Sequence, residues 1–227
     1  MRALALSGGG FFGAWQAGAW AALEGEFSPD LIVGASVGAL NGYAIAGGVA
    51  ARELCELWRR ETSLRELSSN LRHLTVNYPP QIDFALVATD LWRMKPRLFR
   101  GSAVSWRHLA ASCAVPLVFA PVRIEGRWYA DGGLLNPLPV WAAVELGATE
   151  IVALHALPEI PSWWLRPPVR AFRRVFGAHP PLPPKICLAM IQPSKRLGGM
   201  RDALTWKRDN IDRWLAQGYE DARGSLS

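Results

Sequence analysis

Cysteine is scarce: Cys55, Cys113 and Cys187 are the only three in 227 residues. An odd, widely spaced set argues against a disulfide framework and against a zinc knot, so a reducing compartment is expected. No apolar run approaches the ~18 residues that a bilayer-spanning helix needs. The opening MRALALSGGG carries an apolar stretch too short for a signal-peptide core. Basic residues are spread along the chain without a nucleic-acid signature, and a net charge of +6 suits an anionic surface better. The expectation is a cytoplasmic protein with no nucleic-acid partner, touching an anionic membrane from one side if it meets lipid at all.

Half of the residues are hydrophobic, which is enough for a sizeable core in one folded domain spanning 1–227. Short buried-strand patterns at 3–6, 31–33, 84–88, 151–154 and 186–189 alternate with helical stretches at 14–23, 37–45, 106–113 and 139–146. Leu54, Leu57 and Trp58 mark another helix, and Ile211, Trp214, Leu215 and Tyr219 the apolar face of a last one. Strands at 122–124 and 127–129 flank Glu125-Gly126, a hairpin signal. The alternation predicts an α/β fold with a mostly parallel central sheet and helices on both faces. Residues 157–184, rich in proline, arginine and tryptophan with Glu159 as their one acid, read as an insertion between two strands.

Three motifs carry chemistry. Gly34-Ala35-Ser36-Val37-Gly38 is a G-x-S-x-G directly after a buried strand and before a helix. That is the setting of a nucleophile elbow, where a sharp turn lifts the hydroxyl to a helix N-terminus that favours negative charge. It comes after only the second strand, earlier than in an α/β-hydrolase. Ser7-Gly8-Gly9-Gly10-Phe11-Phe12-Gly13 also links a strand to a helix. Its consecutive N–H groups suit an oxyanion hole. Its spacing also matches a dinucleotide loop, but no acid stands at a ribose-binding strand end, and no Gly-Lys-Ser/Thr follows to make a P-loop. Asp131-Gly132-Gly133 follows a strand and offers either a general base on a tight turn or an ordinary Asp-Gly turn. His155, after a strand and after Asp131, would complete the Ser, Asp, His order of an α/β-hydrolase triad.

Taken in order, the motifs resemble the patatin-like phospholipase family. Ala111-Ser112-Cys113-Ala114-Val115-Pro116 is similar to that family's Ala-Ser-x-Ala-x-Pro block. The resemblance implies a three-layer α/β/α fold and hydrolysis of acyl esters of lipids by a Ser–Asp dyad without metal or cofactor. It implies Ser36 as nucleophile, Asp131 as base, the N–H groups of Gly8, Gly9 and Gly10 as oxyanion hole, and Gly13, Gly34, Gly38, Gly132 and Gly133 as supporting glycines. Phospholipase A, lysophospholipase and esterase activities all fit. An acyltransferase or acyl-ester cyclase would use the same acyl-enzyme, and a non-catalytic lipid-binding module would lack the serine or the aspartate. One position departs: Phe12 stands where members usually carry arginine or lysine.

The insertion adds one expectation. As a helix, residues 165–176 place Leu165, Val169, Phe172 and Phe176 on one face and Arg166, Arg170, Arg173 and Arg174 beside it, with Trp163 and Trp164 at the start. Such a helix could lie in the headgroup region of an anionic bilayer, cover the acyl chain, or simply pack on the core.

Overall fold

The computed structural model describes residues 1–60, 67–159, 166–177 and 182–226. In chain order the elements are β1 (Arg2–Leu6), α1 (Gly13–Leu23), β2 (Leu31–Ala35), α2 (Val37–Ala46), α3 (Ala51–Arg59), α4 (Leu67–Asn77), β3 (Asp83–Asp90), β4 (Lys95–Arg100) and α5 (Trp106–Ser112). There follow β5 (Val122–Ile124), β6 (Arg127–Ala130), α6 (Val140–Glu145), β7 (Glu150–Leu154), α7 (Arg166–Phe176), β8 (Cys187–Ile191), α8 (Met200–Leu204) and α9 (Arg208–Leu226).

The short apolar runs become the middle of an eight-stranded sheet ordered β5-β6-β3-β2-β1-β7-β8, with β4 against β3. β1, β2, β3, β7 and β8 are mutually parallel; β4, β5 and β6 add antiparallel pairs. Every residue of β2 is buried, as expected of a strand covered on both faces. Leu4, Leu6, Ile32, Phe84 and Leu86 point to a large core shared with α1, α2, α3, α5 and α9. Ala3, Ala5, Leu31, Val33, Ala85 and Val87 point the other way, toward α6. The fold is α/β, mostly parallel, with helices around the sheet.

Three elements lay outside the sequence reading: β4, α4 and α8. β4 is KPRLFR, in which proline and three cations hide the strand pattern. Those residues suit a strand with no further neighbour, because proline cannot donate to a ladder and exposed cations discourage another strand from pairing. Tyr219, assigned to the apolar face of the last helix, is exposed. Part of the 157–184 insertion, including Trp163, Trp164 and Leu165, lies outside the described residues.

α1 reads GAWQAGAWAAL and is buried on nearly all sides, as an all-round apolar helix should be. It packs on α9 at backbone contact. A Cβ at Gly18 would run into the Leu215 carbonyl, and one at Gly218 into the Trp15 carbonyl. Gly218→Ala would force the helices apart, and overpacking of this kind costs about 1–3 kcal/mol. Chemical denaturation should show the loss, whereas Gly224→Ala, which meets nothing within 4 Å, should leave the midpoint in place.

Candidate active site

Ser36 and Asp131 are brought together by strand ends. β4 occupies one side of β3 along residues 85–90. On the opposite side β2 runs parallel to β3 and stops with Ala35 opposite Val87. β6 comes down that same side in the reverse direction, with Tyr129 opposite Asp90 and Ala130 opposite Thr89. The next residue of β2 is Ser36 and the next of β6 is Asp131. Both therefore fall at the level of Ala88.

Neither strand can continue, so the chain turns out of the sheet at both points. Ser36 does so with φ 54° and ψ −130°, a conformation that costs a residue with a side chain on the order of 1–3 kcal/mol. The elbow glycines make the turn possible: a Cβ on Gly34 would strike the Gly38 carbonyl, and one on Gly38 would strike the Leu6 carbonyl.

Ser112, at the end of α5, closes the gap between the strands. The Ser36 N–H donates to Ser112 Oγ at 2.9 Å, and that hydroxyl donates to the Val87 carbonyl at 2.7 Å. The hydroxyl thus stands in the ladder where β2 leaves β3. The Ser112 carbonyl accepts from Gly132 at 3.0 Å, and the Ala114 carbonyl accepts from Asp131 at 2.9 Å. Thr89 Oγ1 donates to the Asp131 carbonyl at 2.8 Å. A Cβ on Gly132 would strike the Val87 carbonyl.

The glycine loop completes the convergence. A Cβ on Gly8 would lie 3.2 Å from Ser36 Cβ and 3.7 Å from Gly133 Cα. The Gly8 N–H donates to the Pro137 carbonyl at 2.8 Å. Among the described residues none accepts from the N–H of Gly9 or Gly10. A buried amide network fixes the loop from behind. Gln16 Nε2 donates to the Ser7 carbonyl at 2.7 Å, Asn41 Nδ2 to the Gly13 carbonyl at 2.9 Å and to Gln16 Oε1 at 3.1 Å, and Trp58 Nε1 to Asn41 Oδ1 at 2.9 Å. The sequence reading missed these residues; a glutamine and an asparagine inside two apolar helices were the available signal.

Asp131 is buried, with Oδ1 accepting from the Gly133 N–H at 2.8 Å. Oδ2 is buried with no hydrogen-bond partner. Burial pushes the carboxyl up to about 6, against the opposing pull of the Ser36 hydroxyl, the Gly133 N–H and the Arg173 charge. The Ser36 hydroxyl is a close neighbour of this carboxylate without completing a hydrogen bond to Oδ2. Beside them, burial and the Asp131 charge hold the Cys113 thiol well above its usual value, so it stays protonated.

The model of the family described as Patatin-like phospholipase matches residues 4–104 and 81–144. The chain belongs to that family. It is 35% identical over 106 residues to an uncharacterized NTE family protein of Mycobacterium bovis, covering 42% of this chain and 29% of that protein. Lysophospholipase NTE1 of Mycosarcoma maydis is 28% identical over 183 residues, which are 66% of this chain and 9% of the relative. The chain thus spans less than a third of the length of these relatives. Among solved structures, VipD from Legionella pneumophila superposes with a TM-score of 0.58 at 12% identity, covering 99% of this chain and 66% of that one.

Two further positions of this patatin-like chain bear on the site. Phe12 is buried edge-to-face on Trp214, ring centroids 5.0 Å apart, so it serves the core. Burial and the nearby Arg173 charge, against the opposing pull of the Leu157 backbone, bring His155 down to about 4. It is hydrogen-bonded to neither Ser36 nor Asp131, and no triad forms.

The raised Asp131 value has a consequence for stability. An unfolded aspartate ionises near pH 4 and the buried one near 6. Between these values the unfolded state binds fewer protons, so this residue makes stability fall as pH rises. Asp131→Asn removes that contribution. Its stability relative to wild type should rise from pH 4 to pH 6 and then level off, as read by denaturant midpoints across pH.

Proposed function

We propose that this chain is a serine acyl hydrolase acting on carboxylic esters of lipids through a Ser36–Asp131 dyad. The observation that carries the reading is the head-on approach of β2 and β6, which leaves a serine on a strained elbow beside a buried aspartate whose Oδ2 has no partner. Family membership points to the same substrate class. The reading takes residues 1–227 as one catalytic domain interrupted at 157–184.

In the reaction, Ser36 Oγ attacks the ester carbonyl carbon while its proton passes to Asp131 Oδ2. The carbonyl oxygen takes the negative charge and faces the Gly9 and Gly10 N–H groups and the N-terminus of α2. As the tetrahedral centre collapses, the C–O bond to the alcohol breaks and Asp131 returns the proton to the leaving oxygen. Water then adds to the acyl-serine, giving a proton to Asp131, and Ser36 recovers that proton as the free acid departs. An ordinary aspartate is a weak base at neutral pH; a value near 6 leaves Asp131 mostly ionised there yet basic enough to assist.

Exposed Trp92 and Trp128 and fully exposed Leu117 support a lipid interface. Trp92, on the turn after β3, and Trp128, within β6, lie past the C-terminal end of β3, the end at which Ser36 stands, with the Leu91 N–H bonded to the Trp128 carbonyl at 3.0 Å. No helix among the described residues is long and apolar enough to cross a membrane. Peripheral contact from the cytoplasmic side fits these features and the three unpaired thiols.

Ser36→Ala and Asp131→Asn should each lower p-nitrophenyl ester and lysophospholipid hydrolysis by about 10⁴-fold, with the double variant little worse, because the pair acts as one unit. Wild-type kcat/KM should fall as pH drops through about 6, where Asp131 gains its proton. Near-normal turnover by Asp131→Asn would remove the dyad from consideration.

For the membrane contact, Ser36→Ala protein, which leaves the lipid intact, should sediment with anionic but not neutral vesicles, less so in high salt. Arg170 and Arg174 are exposed on α7, with Val175 and Phe176 beside them. Adding Arg170→Glu and Arg174→Glu should weaken that binding; equal sedimentation would leave α7 as plain packing.

A further inference from the structure

The orientation of the base hangs on a weak link. Asp131 Oδ1 is held by the N–H of Gly133, and Gly133 follows Gly132. Two successive glycines are the most conformationally free stretch a backbone can offer. Something outside the turn has to fix it.

We propose that Arg173, on the inserted helix α7, is the positioning residue for Asp131, clamping the Gly133–Leu134 backbone so that the carboxylate stays directed at Ser36. The proposal rests on the Ser36–Asp131 reading above. Arg173 Nη2 donates to the Gly133 carbonyl at 3.0 Å and Nε donates to the Leu134 carbonyl at 3.1 Å. Gly133 is thereby pinned on both sides, its N–H by the carboxylate and its C=O by the guanidinium. Only a planar fork meets two adjacent carbonyls in this way. The end of α7 is seated on the same turn: Gly177 is buried, its N–H bonds to the Arg173 carbonyl at 2.8 Å, and a Cβ there would strike the Leu135 carbonyl.

The clamp also carries charge. Among the described residues no carboxylate lies within ion-pair distance of Arg173, and Asp131 is the acid whose charge it feels. The guanidinium favours ionised Asp131 and so offsets part of the effect of burial. The other titratable groups around the base stay neutral: Cys113 is held protonated and His155 is held unprotonated, the latter partly by Arg173 itself. Arg173 is therefore the one lasting charge beside Asp131 among the described residues. The scarcity of acids in the insertion fits this use, since an acid nearby would compete for the guanidinium.

The test follows the rate at which a fluorophosphonate labels Ser36 between pH 5 and 9 in wild type, Arg173→Met, Arg173→Lys and, as a control at an exposed arginine on α3, Arg52→Met. Wild type should show an acidic limb near 6. In Arg173→Met that limb should move to higher pH, with labelling about tenfold slower at pH 6 and a smaller deficit at pH 9. Arg173→Lys keeps the charge and should keep the limb near its wild-type position, with a lower plateau from the lost fork. Arg52→Met should match wild type. An unmoved limb in Arg173→Met, or a uniform loss at every pH shared with Arg173→Lys, would leave Arg173 as plain structure and overturn the proposal. Absence of Ser36 labelling in wild type would instead overturn the dyad reading beneath it.

Discussion

Along one side of β3, β2 stops at Ala35 and β6 stops at Ala130, running toward each other. A parallel and an antiparallel neighbour can share an edge only if both end, and their ends leave a gap in a buried ladder. An unsatisfied polar group in such a gap costs roughly 1–3 kcal/mol. Ser112 fills it, accepting from Ser36 and donating to Val87. The residues that leave the sheet at the gap are then buried, anchored by their backbones and directed into the same space. The glycines follow from the same constraint. Gly34, Gly38 and Gly132 lie where backbone meets backbone, and Gly8 lies where the loop passes Ser36.

This arrangement stores unfavourable free energy in Ser36 and Asp131. Ser36 holds a strained conformation, and Asp131 is kept in surroundings that disfavour its charge. Such a site persists only if the rest of the molecule over-determines it. Here that support comes from α1. One side of α1 meets α9 through Gly18 and Gly218, and Gln16 on the same helix reaches the Ser7 carbonyl behind the glycine loop. The C-terminal helix, far from Ser36 in sequence, is thus coupled to the loop through one rigid helix.

Much of this was legible in the sequence, for a physical reason. Parallel strands buried on both faces are short unbroken apolar runs, and they stand out at 3–6, 31–33 and 151–154. Sharp turns need glycine, and so the elbow, the loop and the Asp-Gly-Gly turn could be read as well. β4 could not, because a strand with one free edge mixes cations with apolar residues. The contacts across the gap could not either. Ser112 was visible as part of a block, but its bond to Ser36 spans 76 positions. Nor could the bond from the Gly8 N–H to the Pro137 carbonyl be read. Arg173 read as one cation of an amphipathic face, and only its two carbonyl acceptors distinguish it from Arg170 and Arg174.

Phe12 and Arg173 together alter how charge is distributed around the site. At position 12 the ring lies against Trp214, itself buried and bonded through Nε1 to the Leu197 carbonyl at 2.8 Å. A cation in the place of that ring would sit against the Trp214 indole in the core. The cation present instead reaches the Asp131 turn through α7, at the Gly133 and Leu134 carbonyls. The two placements are not equivalent. A charge on the glycine-loop side would act on the oxyanion and lower the barrier whatever the state of the base. A charge on the Asp131 side acts on that carboxylate and widens the pH range over which it is ionised. On the proposed mechanism the developing oxyanion would depend on backbone N–H groups and the α2 N-terminus, while the arginine would set when Asp131 is ready.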